Sequence, residues 1–278
     1  MKIYKIFAND FRFHHSFKSL IIIAAVALLF LIQCGRGLDD LFGHGMISCK
    51  GTVADYFLYF FLGTDPFDPT SGDRHFQIPL IWLFEIIILL LVNLHYTSND
   101  FSYYGYQLIA RSKKRVRWWV AKCFSLSASC IIQLAVLCAA ISTVALTFGA
   151  EFTLSVTPDF AEMLLPDICL EQLSSLGRLK LTLILCLPVL TILTLNFLQC
   201  LLCMFFKPAV SFLITMFIPI VSVYFASPAL ICNYAMFARI APFLCDGVSL
   251  PYGIIANFAV ITIVVIVGAF KVSSVNFI

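Results

Sequence analysis

Six apolar runs, each near the length of a bilayer crossing, constrain this chain more than any motif it contains. They lie at Phe17–Cys34, Ile78–Ser98, Trp118–Gly149, Leu179–Phe206, Ala209–Ser227 and Gly253–Phe270. A helix of about 20 apolar residues crosses the ~30 Å hydrocarbon core of a membrane. Of the 278 residues, 61% are hydrophobic and only 12% charged. A soluble domain carries about 25% charged residues, and this chain has too few polar side chains to cover a water-facing surface. The third and fourth runs are overlong and so tilt or project beyond a bilayer. No short segments of alternating polarity occur, which excludes an outer-membrane barrel. The fold class expected is all-α, a single polytopic transmembrane domain over residues 1–278. The first run ends in Leu31-Ile32-Gln33-Cys34, the outline of a lipoprotein signal. Gln33 stands where a small residue is required and five more runs follow, so a retained helix is expected.

The charges are distributed unevenly across the breaks. The stretch Gly105–Lys122, GYQLIARSKKRVRWWVAK, holds six of the chain's 18 Lys and Arg. Six crossings put both termini on one side, together with the segments at 99–117 and 207–208. That side has 12 basic residues: Lys2, Lys5, Arg12, Lys18, Arg111, Lys113, Lys114, Arg115, Arg117, Lys122, Lys207 and Lys271. Against them stand two acidic ones, Asp10 and Asp100. The opposite side has six basic and 12 acidic residues, and Glu85 alone lies inside a run. Basic residues stay on the cytoplasmic side, so both termini and the cationic loop are expected there.

The breaks suggest local structure. Residues 1–18 form an amphipathic pattern, with Ile3, Ile6, Phe7, Phe13 and Phe17 on one arc and Lys2, Lys5 and Arg12 on the other. That pattern fits a helix lying in the membrane interface or an extension of the first span. The outer loop at 35–77 has turn signals at Asp65-Pro66 and Ser71-Gly72-Asp73, and a short aromatic helix is expected at Val53–Leu62. The cytoplasmic loop at 99–117 begins with Ser98-Asn99-Asp100, good N-cap residues. They predict a short helix over Asp100–Ala110, with Trp118 and Trp119 marking the membrane interface beyond it. The outer segment at 228–252, broken by Pro242 and Pro251, reads as a pair of short re-entrant or interfacial helices. Pro188 and Pro219 fall inside the fourth and fifth runs, where neighbouring helices can satisfy the freed carbonyls.

No catalytic set is visible. The five His are scattered, and His-Glu-x-x-His, Gly-x-Ser-x-Gly and Walker A patterns are absent. Cys200 and Cys203 have Cys-x-x-Cys spacing but sit in an apolar helix without His or acidic neighbours, which argues against metal or redox work. No metal site is expected. Of the cysteines on the outer side, Cys232 and Cys245 allow a disulfide without requiring one. Glu85 is either a contact for substrate or protons facing the bundle or a hydrogen-bonded structural side chain. Asn93, Gln133, Asn196 and Asn257 are its candidate partners, or else interhelical glue.

Several short segments carry a resemblance. Gly105–Arg115 is followed by Trp118-Trp119 and Lys122. Elsewhere stand Ile78-Pro79-Leu80-Ile81-Trp82-Leu83, Asn233-Tyr234-Ala235-Met236-Phe237-Ala238-Arg239 and Gly268-Ala269-Phe270-Lys271. Together with six spans, an N-terminal interfacial helix and a broken outer segment, they resemble the permease subunits of type-2 ABC exporters, the small Gram-positive kind. Val272–Asn276 departs from the charged tails common there. The resemblance implies a bacterial plasma-membrane location and a dimer of permease chains, homo- or heteromeric, among membrane lipids. It also implies a separate ABC ATP-binding subunit, which binds the ATP and Mg, so this chain has no cofactor of its own. Force from the ATPase would enter a coupling helix, with Tyr103, Gly105, Tyr106, Gln107, Arg111 and Arg115 as the docking surface. The cargo would be hydrophobic or amphipathic: a peptide, lipid or drug-like molecule. This chain would not be an enzyme, and no nucleic acid is implied. A membrane-embedded peptide-binding or immunity protein without transport turnover is the alternative.

Overall fold

The computed structural model describes residues 17–45, 47, 49–65, 67, 78–99, 115–165, 177–241, 243–244 and 247–274. These residues are helical throughout, with two isolated β-bridges and no strand. The long helices are α1 (Phe17–Gly43), α3 (Leu80–Asn99), α4 (Arg115–Thr147), α6 (Arg178–Leu202), α7 (Pro208–Tyr224) and α8 (Leu250–Ser274). Two short ones, α2 (Val53–Phe60) and α5 (Pro158–Leu164), and two 3₁₀ turns at Ile231–Ala235 and Phe237–Arg239 complete the set. Four helices, α1, α4, α6 and α8, are long and apolar enough to cross a membrane, while Leu80–Leu94 and Pro208–Tyr224 are shorter apolar helices. The predicted Asp100–Ala110 helix lies outside the described residues. So does the predicted interfacial helix, apart from residues 17 and 18, which open α1.

The six apolar runs and the six long helices coincide in order. Their ends differ in both directions: α6 and α7 stop at Leu202 and Tyr224, short of the apolar runs' ends at Phe206 and Ser227, while α1 outlasts its run. Helix α1 continues nine residues past Cys34 to Gly43, through the polar Arg36, Asp39 and Asp40. Nothing at Cys34 stops a helix. Gly35 instead lets the ring of Phe148 pack against the α1 backbone, where any Cβ would overlap it. Pro188 and Pro219 are accommodated inside α6 and α7.

Contacts divide the bundle into two ends. At one, the connecting segments assemble into a cap. Residue 52 pairs with 151 through Val53 N–H donating to Glu151 O (3.1 Å) and Glu151 N–H donating to Gly51 O (3.1 Å). The N–H groups of Phe237 and Ala238 donate to Phe61 O and Leu62 O, each at 3.0 Å. The Trp82 indole donates to Ala235 O at 3.0 Å. At the other end, Arg115 lies on the carbonyl of Ser273 and Lys271 on the ring of Phe205. Helices α1, α4 and α7 therefore run toward the cap and α3, α6 and α8 away from it.

The cap is a packed part of the core. Six of the eight residues of α2 are buried, and residues 231–240 are buried without exception. The aromatic helix expected at Val53–Leu62 is present, but it packs inside the protein rather than lying on a surface. Within 228–252, residues 231–239 form two 3₁₀ turns where a pair of short helices was expected, because Met236 breaks the run and the Phe237 and Ala238 N–H groups pair with the carbonyls of Phe61 and Leu62. Helix α5 escaped the sequence reading, although Thr157-Pro158-Asp159 has a Pro at the first turn and an acid after it, both start signals.

Two buried ionic side chains hold the cap. Asp55 closes a capping box with Thr52 at the start of α2. Its carboxylate also accepts from Thr157 N (3.0 Å) and Thr157 Oγ1 (2.7 Å), fastening the 150–157 segment. Burial pushes this carboxyl up from the ordinary range, while the Thr157 and Thr52 donors pull the other way. Arg239, 1% exposed, donates from Nε to Thr64 O (2.9 Å), from Nη2 to Val223 O (2.7 Å) and from Nη1 to Ser222 O and Asn233 Oδ1. Burial lowers its pKa to about 10, with the charge of Asp65 acting against the shift, so the guanidinium stays charged at neutral pH. A cation at the last carbonyls of α7 also opposes the negative end of the helix dipole.

Replacing Arg239 with Met would leave the Ser222, Val223 and Thr64 carbonyls without that donor in an apolar setting. Each orphaned buried group costs about 1–3 kcal/mol, so Arg239→Met is expected to destabilise the protein by about 3 kcal/mol or more. Arg239→Lys should recover only part of this, because one ammonium cannot fork to the same acceptors. The check is the thermal unfolding midpoint of the purified protein in detergent. Equal midpoints for wild type and Arg239→Met would contradict the assignment.

Candidate functional site

Of the expected docking residues, Tyr103, Gly105, Tyr106, Gln107 and Arg111 lie outside the described residues. Arg115 is described, as the first residue of α4, with Nη1 3.5 Å from Ser273 O in the last turn of α8. What the structure defines is how α4 is seated where it leaves the cationic segment. Trp118 and Trp119, read from sequence as interface markers, are buried at 1% and 0% exposure. The Trp119 indole donates to Val265 O (2.9 Å) and lies flush on Gly268, where any Cβ would overlap the ring. Lys122 is buried as well, its ammonium 5.7 Å from the Trp118 ring. A second apolar core joins this turn of α4 to Phe197, Cys200 and Leu201 of α6 and to Val264 and Val272 of α8.

About three helical turns further along α4, the polar side chains of three helices meet. Asn93 of α3 and Gln133 of α4 exchange a reciprocal pair of amide bonds, both 2.9 Å. Asn93 Nδ2 also donates to Asn196 Oδ1 of α6 (2.8 Å). The Asn196 amide turns back to Ile192 O (2.9 Å), and Gln199 Nε2 reaches Leu90 O (3.1 Å). Away from water these groups gain most by pairing with one another. Toward the cap, Asn257 Nδ2 donates to Gly253 O (2.8 Å) and approaches Thr191 Oγ1 (3.4 Å).

Glu85 lies on the buried face of α3 with Trp82, Ile86, Leu89 and Asn93, and is 1% exposed. It makes no hydrogen bond with the four amides considered as its partners, and its Oε1 has no hydrogen-bond partner among the described residues. Asn93, Gln133 and Asn196 therefore act as interhelical glue. Among the described residues no group of three or more His, Cys, Asp or Glu could hold a metal ion. Cys232 is buried with a free thiol, and Cys245 lies outside the described residues.

The short sequence segments singled out above meet in pairs. Trp82 of Ile78–Leu83 bonds Ala235 of Asn233–Arg239, 153 residues away. Trp119 rests on Gly268 of Gly268–Lys271. Neither pairing is readable from a single sequence, because each segment taken alone looks like ordinary apolar helix. Fold and site together define a class: an all-helical protein that has, among the described residues, four helices long and apolar enough to cross a membrane, and whose buried polar side chains tie helix to helix. No family model, no curated protein and no solved structure matches this chain.

The amide junction is testable by a double-mutant cycle on Asn93→Ala and Gln133→Ala. The expected coupling is about 0.6–2 kcal/mol, the range of interhelical hydrogen bonds in membranes, read from unfolding in mixed micelles. Additive effects of the two changes would show that the pair is not energetically linked. Gly268→Val should unseat Trp119 at a cost of about 1–3 kcal/mol, the usual penalty of overpacking. Its check is a red shift in tryptophan emission as the indole leaves its dry site, and an unshifted spectrum would contradict it.

Proposed function

We propose that this chain is the membrane-spanning permease subunit of an ATP-driven ABC exporter, crossing the bacterial plasma membrane six times with both termini in the cytoplasm. The alternating directions of the six long helices support six crossings, with α3 and α7 spanning despite their shorter apolar stretches. The basic end of the bundle is then cytoplasmic and the cap is outside. Residues 1–16 would lie in the inner interface. The segment between α3 and α4 would carry the coupling helix, and a partner subunit would bind ATP and Mg. The cargo is hydrophobic or amphipathic, and a second permease chain completes the transporter.

The observation that carries this reading is the seating of α4. Its opening turns carry Arg115, Arg117 and Lys122 of the cationic segment and are clamped to α8 by Trp119 on Gly268. Asn93, Gln133 and Asn196 clamp the same helix to α3 and α6. A push delivered to the segment joining α3 and α4 would thus move several helices together, since packed interiors transmit displacement rather than absorb it. Tyr103, Gly105, Tyr106, Gln107 and Arg111 form the proposed docking surface. Arg115 belongs to it and is also tied to α8.

The test is affinity purification of the tagged chain from its own membranes, with bound proteins identified by mass spectrometry. An ATP-binding subunit should be recovered with the wild type. It should be lost with Arg111→Glu, which leaves the Arg115–Ser273 contact intact, and with the Arg111→Glu/Arg115→Glu pair, while membrane insertion is unchanged. A wild-type chain that never retains an ATP-binding partner would sink the proposal. Retention by both variants would sink the docking assignment.

A further inference from the structure

The basic end of the bundle collects cations beyond those of the proposed docking surface, with Arg115 common to both. Lys271 of α8 places its ammonium 4.8 Å from the ring of Phe205, two residues before Lys207 in the turn between α6 and α7. Arg115 of α4 reaches the carbonyl of Ser273, two residues beyond Lys271. The fold therefore draws Lys207, Lys271 and Arg115 toward one end of the bundle from three parts of the chain. Among the described residues at 115–130, 196–215 and 260–274 there is no Asp or Glu. The cap differs: Arg239 is buried on carbonyls, and Lys50 pairs with Asp39 at 3.1 Å.

The surface beside these cations is apolar and bare. Phe205, Phe206 and Phe270 are 47%, 48% and 70% exposed, and they stand next to Lys207 and Lys271 in sequence. A soluble acidic protein or a free phosphate would neutralise the ammonium groups but leave these rings in water. A molecule with a phosphate at one end and hydrocarbon at the other satisfies both. We propose that this end of the bundle binds an anionic phospholipid. Lys207 and Lys271 take its phosphate, and its acyl chains lie along Phe205, Phe206 and Phe270. The Lys271–Phe205 contact is a weak cation–π pair, so it holds the ammonium at the membrane boundary without committing it. The site lies apart from residues 100–114 and stands whether or not an ATPase docks there.

The experiment uses the full chain in nanodiscs of mixed phosphatidylglycerol and phosphatidylcholine, then native mass spectrometry of the protein released with its retained lipid. Phosphatidylglycerol should be retained in preference to phosphatidylcholine by the wild type. Lys207→Gln/Lys271→Gln should weaken that retention about thirtyfold, the loss of two basic groups worth about 1 kcal/mol each near an anionic headgroup. Lys207→Arg/Lys271→Arg should restore it. Arg178→Gln/Lys180→Gln removes the same charge from the cap end of α6 and should behave as wild type. The proposal is overturned if the Lys207/Lys271 variant retains phosphatidylglycerol at the wild-type level. It is equally overturned if the Arg178/Lys180 variant loses as much, because net charge alone would then explain binding. Inorganic phosphate should not displace the lipid relative to chloride at matched ionic strength, and displacement would show that the site takes free phosphate instead. Should the Lys207/Lys271 variant fail to accumulate, the wild type decides: equal retention of the two lipids overturns the assignment.

Discussion

The guanidinium of Arg239 is the point on which the cap depends. It joins the carbonyls that end α7, the loop at Thr64 and Asp65, and the side chain of Asn233. None of these segments has enough regular structure to satisfy its own backbone, and most of them are buried. An unpaired carbonyl away from water costs about as much as a lost hydrogen bond, so a side chain with five donors in a fixed fork is well suited to the position. Once Arg239 is placed, the 3₁₀ turns around it present Ala235 O to Trp82 and the Phe237 and Ala238 N–H groups to residues 61 and 62. Asp55 does the corresponding work for the 52 and 151–157 segments. The cap thus fixes where the helices end, and through them the spacing of the bundle.

At the other end the constraint is shape as well as polarity. Trp119 can lie against α8 only because Gly268 has no side chain, and its indole N–H needs an acceptor that Val265 supplies. That contact and the Asn93–Gln133–Asn196 junction place α4 at the centre of the bundle, in touch with α3, α6 and α8. A central helix that begins inside the cationic segment is what the proposed force-receiving permease would require. The same helix contributes Arg115 to the surface on which we place an anionic lipid. The proposed docking surface and the proposed lipid site would therefore be adjacent, sharing Arg115, while Lys207 and Lys271 belong to the lipid site alone.

Much of the fold was legible because long apolar runs leave few choices of structure. Six long apolar runs could only be helices, and the structure has six long helices in the same order. The legible part ended where helix and hydrophobicity part company. Helix α1 continues through Arg36, Asp39 and Asp40 because nothing in those residues breaks a helix, even though they end an apolar run. Trp118 and Trp119 looked like interface anchors because tryptophan is common there. Trp119 is buried because Gly268, nearly 150 residues away, leaves room for its indole. Glu85 was recognisable as the one acid inside a run, but the amides that seemed suited to meet it prefer each other. Their reciprocal geometry satisfies donors and acceptors at once, and an ionised carboxylate, an acceptor only, cannot reproduce that exchange.

What the sequence by itself determined is the helical class, the order of the long helices and the concentration of cations in one break. These follow from local chemistry: hydropathy over a helix length and charge along the chain. The tertiary structure alone decided which segments meet. Trp82 with Ala235, Trp119 with Gly268, Asp55 with Thr157 and Arg239 with the end of α7 are each separated by many residues, or set by the angle at which the chain returns. Hydrogen bonds and close packing depend on positions within a fraction of an ångström. Such positions are a property of the assembled bundle and are not written in any one of its segments.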